Sequence, residues 1–256
     1  MSQSKVTWSA PEIDQTRAMR LALSLLLVLT ACSTTPADPV ALLQEWRQTA
    51  QRQGSVRFDV KIEVEGKDPR RQSYAGVHHV GSGGATTQED VTAHVENRYR
   101  TTDYRWVTVG DDGYLQHSGL TMPPGKTFSS MGLNDAPWVG PYSSDLSMAT
   151  QDYHPGNLFG DIDRDTVRLT EQDGGRYVFS AGGVPHSGGY ANGDVRLVVE
   201  VDDENRVVRV EQSGPSPDKQ QACLTAVYSQ WGTAPDVLRP PQETVAKPKE
   251  VLAVQR

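Results

Sequence analysis

The stretch Val56-Arg57-Phe58-Asp59-Val60-Lys61-Ile62-Glu63-Val64-Glu65 decides the fold. Val56, Phe58, Val60, Ile62 and Val64 alternate without a break against Arg57, Asp59, Lys61, Glu63 and Glu65. Successive side chains of an extended chain point to opposite faces, so this spacing predicts a strand with one apolar and one wet face. Such a strand belongs in an antiparallel sheet, which tolerates a solvated side. Gly66-Lys67-Asp68-Pro69 supplies the stop. Weaker alternating runs follow at Tyr74–Val80, Val91–Val95, Tyr104–Val109, Val167–Leu169, Arg176–Phe179 and Cys223–Tyr228. Asp194–Gln212 predicts a hairpin turning on Asp202-Asp203-Glu204-Asn205.

Just upstream the period changes. Asp38 is placed to cap a helix whose first position is Pro39, where a missing N–H costs nothing. Val40, Leu43, Trp46 and Ala50 recur at helical spacing, with Leu42 beside them, and Gly54 ends the run. This stripe and the apolar strand face are expected to bury each other. Between Leu120 and Gly160 prolines and glycines are frequent, which predicts a long connection carrying a short second helix at Ser144-Asp145-Leu146. The expected architecture is α+β: a large antiparallel sheet in one domain over residues 39–241, followed by a mostly extended tail at 242–256.

The N-terminus has its own logic. Arg17 and Arg20 precede an apolar run from Leu21 to Leu29, too short to span a bilayer, which takes about 20 residues. A cationic flank, a short apolar core and small residues are the layout of a secretory signal. The tetrad Leu29-Thr30-Ala31-Cys32 resembles the bacterial lipobox. That resemblance implies a signal peptide over 1–31, acylation of Cys32, and a lipidated tether over 32–38 leading into the domain. It also implies an extracytoplasmic, lipid-anchored location, since two acyl chains suffice for stable anchoring. Glu12 and Asp14 are unusual in a signal's cationic region, so Met19 is an alternative start to Met1.

Cleavage before Cys32 would leave 225 of the 256 residues and, by removing three basic and two acidic ones, take the formal charge from −7 to −8. A chain of that charge does not hold nucleic acid by counterion release, and it is repelled from an anionic lipid surface. Cys223 is the one other cysteine. It is expected as a buried, small apolar residue.

No motif points to catalysis, a metal or a cofactor. The six histidines form no His-Glu-x-x-His pattern, and adjacent His78 and His79 on a strand would face opposite ways. They are expected at surface or half-buried positions. Asp161, Asp163 and Asp165 begin like a calcium loop, but Thr166 stands where glycine is needed and Gln172 where the bidentate glutamate belongs. Pro185-His186-Ser187-Gly188-Gly189 lacks the first glycine of a nucleophile elbow, and Ser216-Pro217-Asp218-Lys219 lacks companion motifs.

Tyr228-Ser229-Gln230-Trp231-Gly232 followed by Val237-Leu238-Arg239-Pro240-Pro241 resembles the closing strand of LppX/LprG-type lipoproteins of Gram-positive envelopes. The hairpin Arg196–Val210, the segment Leu120–Lys126 and the helix-then-strand opening at Pro39–Glu65 are similar to other parts of that group. The resemblance implies a LolA-like half-barrel: a curved antiparallel sheet closing over helices packed on its concave face, with an apolar cavity between. On that reading Val56, Phe58, Val60, Ile62 and Val64 line a lipid site, faced by Val40, Leu43, Trp46 and Ala50. The function expected is a membrane-anchored carrier of a lipid or other hydrophobic molecule. The alternative is an envelope sensor or scaffold with a solid core and a protein partner.

Overall fold

The computed structural model describes residues 38–81, 86–131, 159, 162, 164–182, 194–215 and 220–255. Cys32, the Ser144–Leu146 helix, and the Pro185–Gly189 and Ser216–Lys219 segments lie outside the described residues. Asp38–Arg256 is one compact unit.

Helix α1 spans Pro39–Gln53. The Asp38 carboxylate accepts the Val40 N–H at 3.0 Å, and Gly54 closes the helix in the left-handed region at φ 75°. There glycine has no Cβ to strain. The strands follow as β1 (Ser55–Glu65), β2 (Arg70–Val80), β3 (Thr86–Asn97), β4 (Thr101–Val109), β5 (Asp112–His117) and β6 (Phe128–Met131). After them come β7 (Arg168–Asp173), β8 (Arg176–Gly182), β9 (Asp194–Val201), β10 (Val207–Pro215), β11 (Gln221–Ser229) and β12 (Val245–Ala246). Among the described residues they form one open sheet in the order β12-β6-β5-β4-β3-β2-β1-β11-β10-β9-β8-β7. Every pairing is antiparallel except the two-residue contact of β12 with β6. The α+β class and large antiparallel sheet read from the sequence are present, and β1 occupies the centre, between β2 and β11.

β1 alternates buried and exposed as its sequence dictates. Val56, Phe58, Val60 and Ile62 join one cluster with Leu43, Trp46 and Ala50 of α1, and with Tyr74, Val91, Trp106, Leu115, Phe179, Leu197, Val199 and Leu224 from strands on both sides. Helix stripe and strand face do bury each other.

Beyond β11 the chain becomes a strap across the opposite face. Trp231 still belongs to the helix-side cluster and donates its indole N–H to the Val207 carbonyl at 2.9 Å, and the crossing follows it: Val237 packs with Val77, Val107 and Phe128. Gln88 accepts the Val237 N–H, and Arg239 pairs with Asp112 at 2.8 Å. The mostly extended tail expected at 242–256 is not what forms. A 3-10 turn at Gln242–Thr244 leads into β12, then into helix α2 at Pro248–Val254. Val251 is buried, and the Glu250 carboxylate accepts the Lys247 N–H at 2.8 Å. Pro248 at the first helical position and the Glu250 cap start a helix whose apolar residues Val251, Leu252 and Val254 stand beside Lys247, Lys249 and Glu250, charges that disguise it as a tail.

Val251→Asp should therefore lower the chemical denaturation midpoint clearly, and Val251→Ala should cost about 2 kcal/mol, the worth of two buried methylenes. A loose tail would tolerate both without a change in midpoint.

Candidate functional site

The helix-side face is the first candidate. Val56, Phe58, Val60, Ile62 and Val64 are all buried there, at 9% exposure or less. Facing them, Leu43, Trp46 and Ala50 are buried and Val40 partly so. Trp46 fixes the seating of α1. Its ring lies edge-on to Tyr177 at 4.9 Å, Phe179 at 6.0 Å and Phe159 at 6.2 Å. Its indole N–H donates to Asn205 Oδ1 at 2.9 Å, and the Asn205 amide donates to Glu45 Oε1 at 2.7 Å.

Asn205 is held in turn by the β9–β10 hairpin. It adopts φ 60°, a left-handed conformation that asparagine tolerates better than most residues. The Asp202 carboxylate accepts from the backbone N–H groups of Glu204 and Arg206 and from the Arg206 guanidinium. Burial alone would raise the Asp202 carboxyl, but the hydrogen bonds and charge of Arg206 outweigh it and hold it below its ordinary range. Toward its N-terminus α1 meets Phe159, Ile162 and Val167 around a gap of about 20 Å³. That is room for a single water. This seam is shut.

Alternation also carries polar residues inward. His78 is fully buried, and His117 is buried edge-on to Tyr104 at 4.6 Å, so neither takes the surface or half-buried place expected of it. His78 sits directly across the β2–β3 ladder from Glu89, with Nδ1 and Oε1 3.7 Å apart. Trp106 donates its indole N–H to the other Glu89 oxygen at 2.8 Å. His78 is two residues from Val80 and four from Tyr74, so period-two counting from those residues already placed it inward. Cys223 is the converse correction: it is exposed, because Ala222, Leu224, Ala226 and Tyr228 take the inward places of β11. Burial pushes the Tyr228 phenol well above its ordinary range.

A second candidate lies on the opposite face, where the strap leaves the sheet uncovered. It is a groove of about 720 Å³ floored by Lys61, Ser73, Thr92, Asp103, Arg105 and Gln116, with Leu120, Met122 and Lys126 along its lip. Arg105 is clamped by Asp90 through bonds of 3.0 and 2.9 Å, and hydrogen bonding to that carboxylate raises its pKa further. His94 meets Asp103 at 2.7 Å, and Lys126 donates to the Glu243 carbonyl. The sequence places Lys61 on the wet side of its strand and marks none of the others as part of a site. The register brings them together. Among the described residues no group of three His, Cys, Asp or Glu side chains could hold a metal ion.

No family model matches the chain, and no curated protein matches it. Among solved structures it is similar to a LolA superfamily protein from Nitrosomonas europaea. The alignment covers 81% of this chain and 96% of that one, at 15% identity and a TM-score of 0.29. The architecture described above rests on the sheet itself.

Two outcomes test the seating of α1. Trp46→Ala should destabilise the chain by about 3–5 kcal/mol in denaturant unfolding, as expected for an aromatic core deletion. For Asp202 the folded pKa is depressed, so its contribution is present above the unfolded value, about 3.9, and is lost as pH falls through the folded one. Thermal melts of Asp202→Asn should therefore converge on wild type in acid and fall below it near neutrality.

Proposed function

We propose that this chain is an envelope lipoprotein that holds a lipid or other hydrophobic molecule between its sheet and α1. What supports this reading is the width of the apolar inner face. Twelve strands at about 4.8 Å spacing span roughly 53 Å, and inward apolar residues come from β1 to β5 and from β8 to β11. A fifteen-residue helix is about 22 Å long and about 10 Å across, so α1 is small beside the face it serves. An acyl chain in such a place gains about 0.8 kcal/mol per buried methylene without needing a specific polar contact. The shut seam at Val40 and Leu43 means that entry there requires α1 to part from the sheet.

Anchoring enters through Cys32, on its resemblance to a lipobox, with Ser33–Ala37 as polar tether. The finer likeness to LppX/LprG-type lipoproteins points the same way. The alternative, a scaffold with a filled core that binds an envelope protein, draws its support from the polar groove over Lys61 and Arg105.

Mass spectrometry of organic extracts from purified Cys32→Ala protein is expected to find a co-purifying lipid. No lipid, together with a stoichiometric protein partner in cell crosslinking, would favour the scaffold instead. The same variant should lose acylation and detergent partitioning while keeping its thermal melt, because Ser33–Ala37 carries little apolar surface. If it still partitions with detergent after its signal is removed, Cys32 is not the anchor.

A further inference from the structure

The chain's negative charge is not evenly spread. At one end of the sheet the β1–β2 and β3–β4 turns lie side by side, and residues 65–71 and 96–100 hold five basic residues against three acidic ones. The basic residues are Lys67, Arg70, Arg71, Arg98 and Arg100. Between them Tyr99 is 76% exposed, far more than the other described aromatic residues. We propose that these paired hairpin tips are a contact surface for an anionic lipid bilayer.

Three observations carry the proposal. The first is that the tip is built. Asn97 Oδ1 accepts the backbone N–H groups of Tyr99 and Arg100 at 2.9 and 3.0 Å, and the Asn97 N–H donates back to the Arg100 carbonyl. Asp68 pairs with Arg98, tying one turn to the other, and the Arg98 guanidinium lies over the Tyr99 ring at 4.4 Å. Tyr99 is thus presented outward by a fixed turn. Little ordering entropy remains to be lost on contact.

The second observation is the chemistry of the tip. Tyrosine has an apolar ring and a polar end, which suits the headgroup level of a bilayer, and arginine suits phosphate oxygens. A cleft of about 350 Å³ lies between the turns, lined by Arg70, Arg71 and Arg98 and by Glu63, Glu65 and Glu96, so the surplus of positive charge lies at the rim, with Lys67 and Arg100. Acidic groups elsewhere on the chain weigh little here, because charges act over about 8 Å at physiological salt. The repulsion expected from net charge alone does not reach the tip.

The third is position. The ladders put Arg196, Ser213, Cys223, Glu63, Arg71, Glu96 and Thr101 at one level across the sheet. Val195, one residue from that level, packs with Ala181 and Ile162, and Ile162 borders Val40 and Leu43. The start of α1 and the basic tips therefore share one end of the domain. The inference takes its setting from the anchoring proposed above, but its chemistry is independent of it.

The acylated chain carrying Cys223→Ser and Tyr99→Cys, labelled at position 99 with an environment-sensitive fluorophore, separates the two. It is reconstituted into vesicles of phosphatidylcholine alone, or of phosphatidylcholine with phosphatidylglycerol. Retention on the first reports the anchor; label emission reports the tip. The expected result is a blue shift on the mixed vesicles only, reversed near 1 M salt, where the Debye length is about 3 Å. Lys67→Gln, Arg71→Gln and Arg100→Gln together should abolish the shift without changing retention or the thermal melt. Equal emission on both vesicles, or a shift indifferent to salt, overturns the inference. Failure of retention on phosphatidylcholine sinks the anchor instead, while emission on mixed vesicles still decides this one.

Discussion

One indole group sets the relation between helix and sheet. Trp46 is wholly buried, and burying its ring yields net stability only if its N–H finds an acceptor, since an unpaired buried donor costs about 1–3 kcal/mol. The acceptor is Asn205, at a hairpin tip more than 150 residues away in sequence. Asn205 is aimed by its left-handed backbone and by the Asp202–Arg206 clamp. The same amide holds Glu45, so one turn grips two successive residues of α1. With that hydrogen bond made, the ring can settle against Tyr177 and Phe179, pairs worth about 0.5–1.5 kcal/mol each beyond their area. The seam between α1 and β7–β8 then closes, and a hydrophobic guest must compete with these contacts.

The two faces of the sheet have different covers. On the helix side an apolar surface drawn from most of the strands meets α1. On the other side the chain after β11 returns as a strap from Ala234 to Ala246 and covers Val77, Val107 and Phe128. Where the strap does not reach, charged residues of β1–β5 floor an open groove. A carrier and a scaffold would use opposite faces of the same sheet. Discriminating them is a question of which face is occupied.

Charge follows the same division. Acidic and basic residues alternate along the wet face of β1, and some charges pair across strands, as Arg105 does with Asp90 and Arg176 with Glu171. Net charge describes the chain at a distance longer than a Debye length. Contact is decided by what each end of the sheet presents locally.

By itself the sequence determined the period-two face of β1, the capped helix before it, the β9–β10 hairpin and the strand at Cys223–Tyr228. Each is a local pattern that extended or helical geometry translates directly into which side is apolar. It did not reveal β5 and β6, because short strands beside Gly110-Asp111-Asp112-Gly113 and Pro123-Pro124 carry too few alternating residues to stand out. Nor did it reveal α2, whose reason to form is the burial of Val251 by elements distant in sequence. The candidate face from Val56 to Val64 was legible as apolar. That Trp46 anchors the helix over it, that Cys223 looks outward, and that Lys61 and Arg105 share a groove depended on ladder register. Register joins residues far apart in sequence, and the reading of any one segment does not contain it.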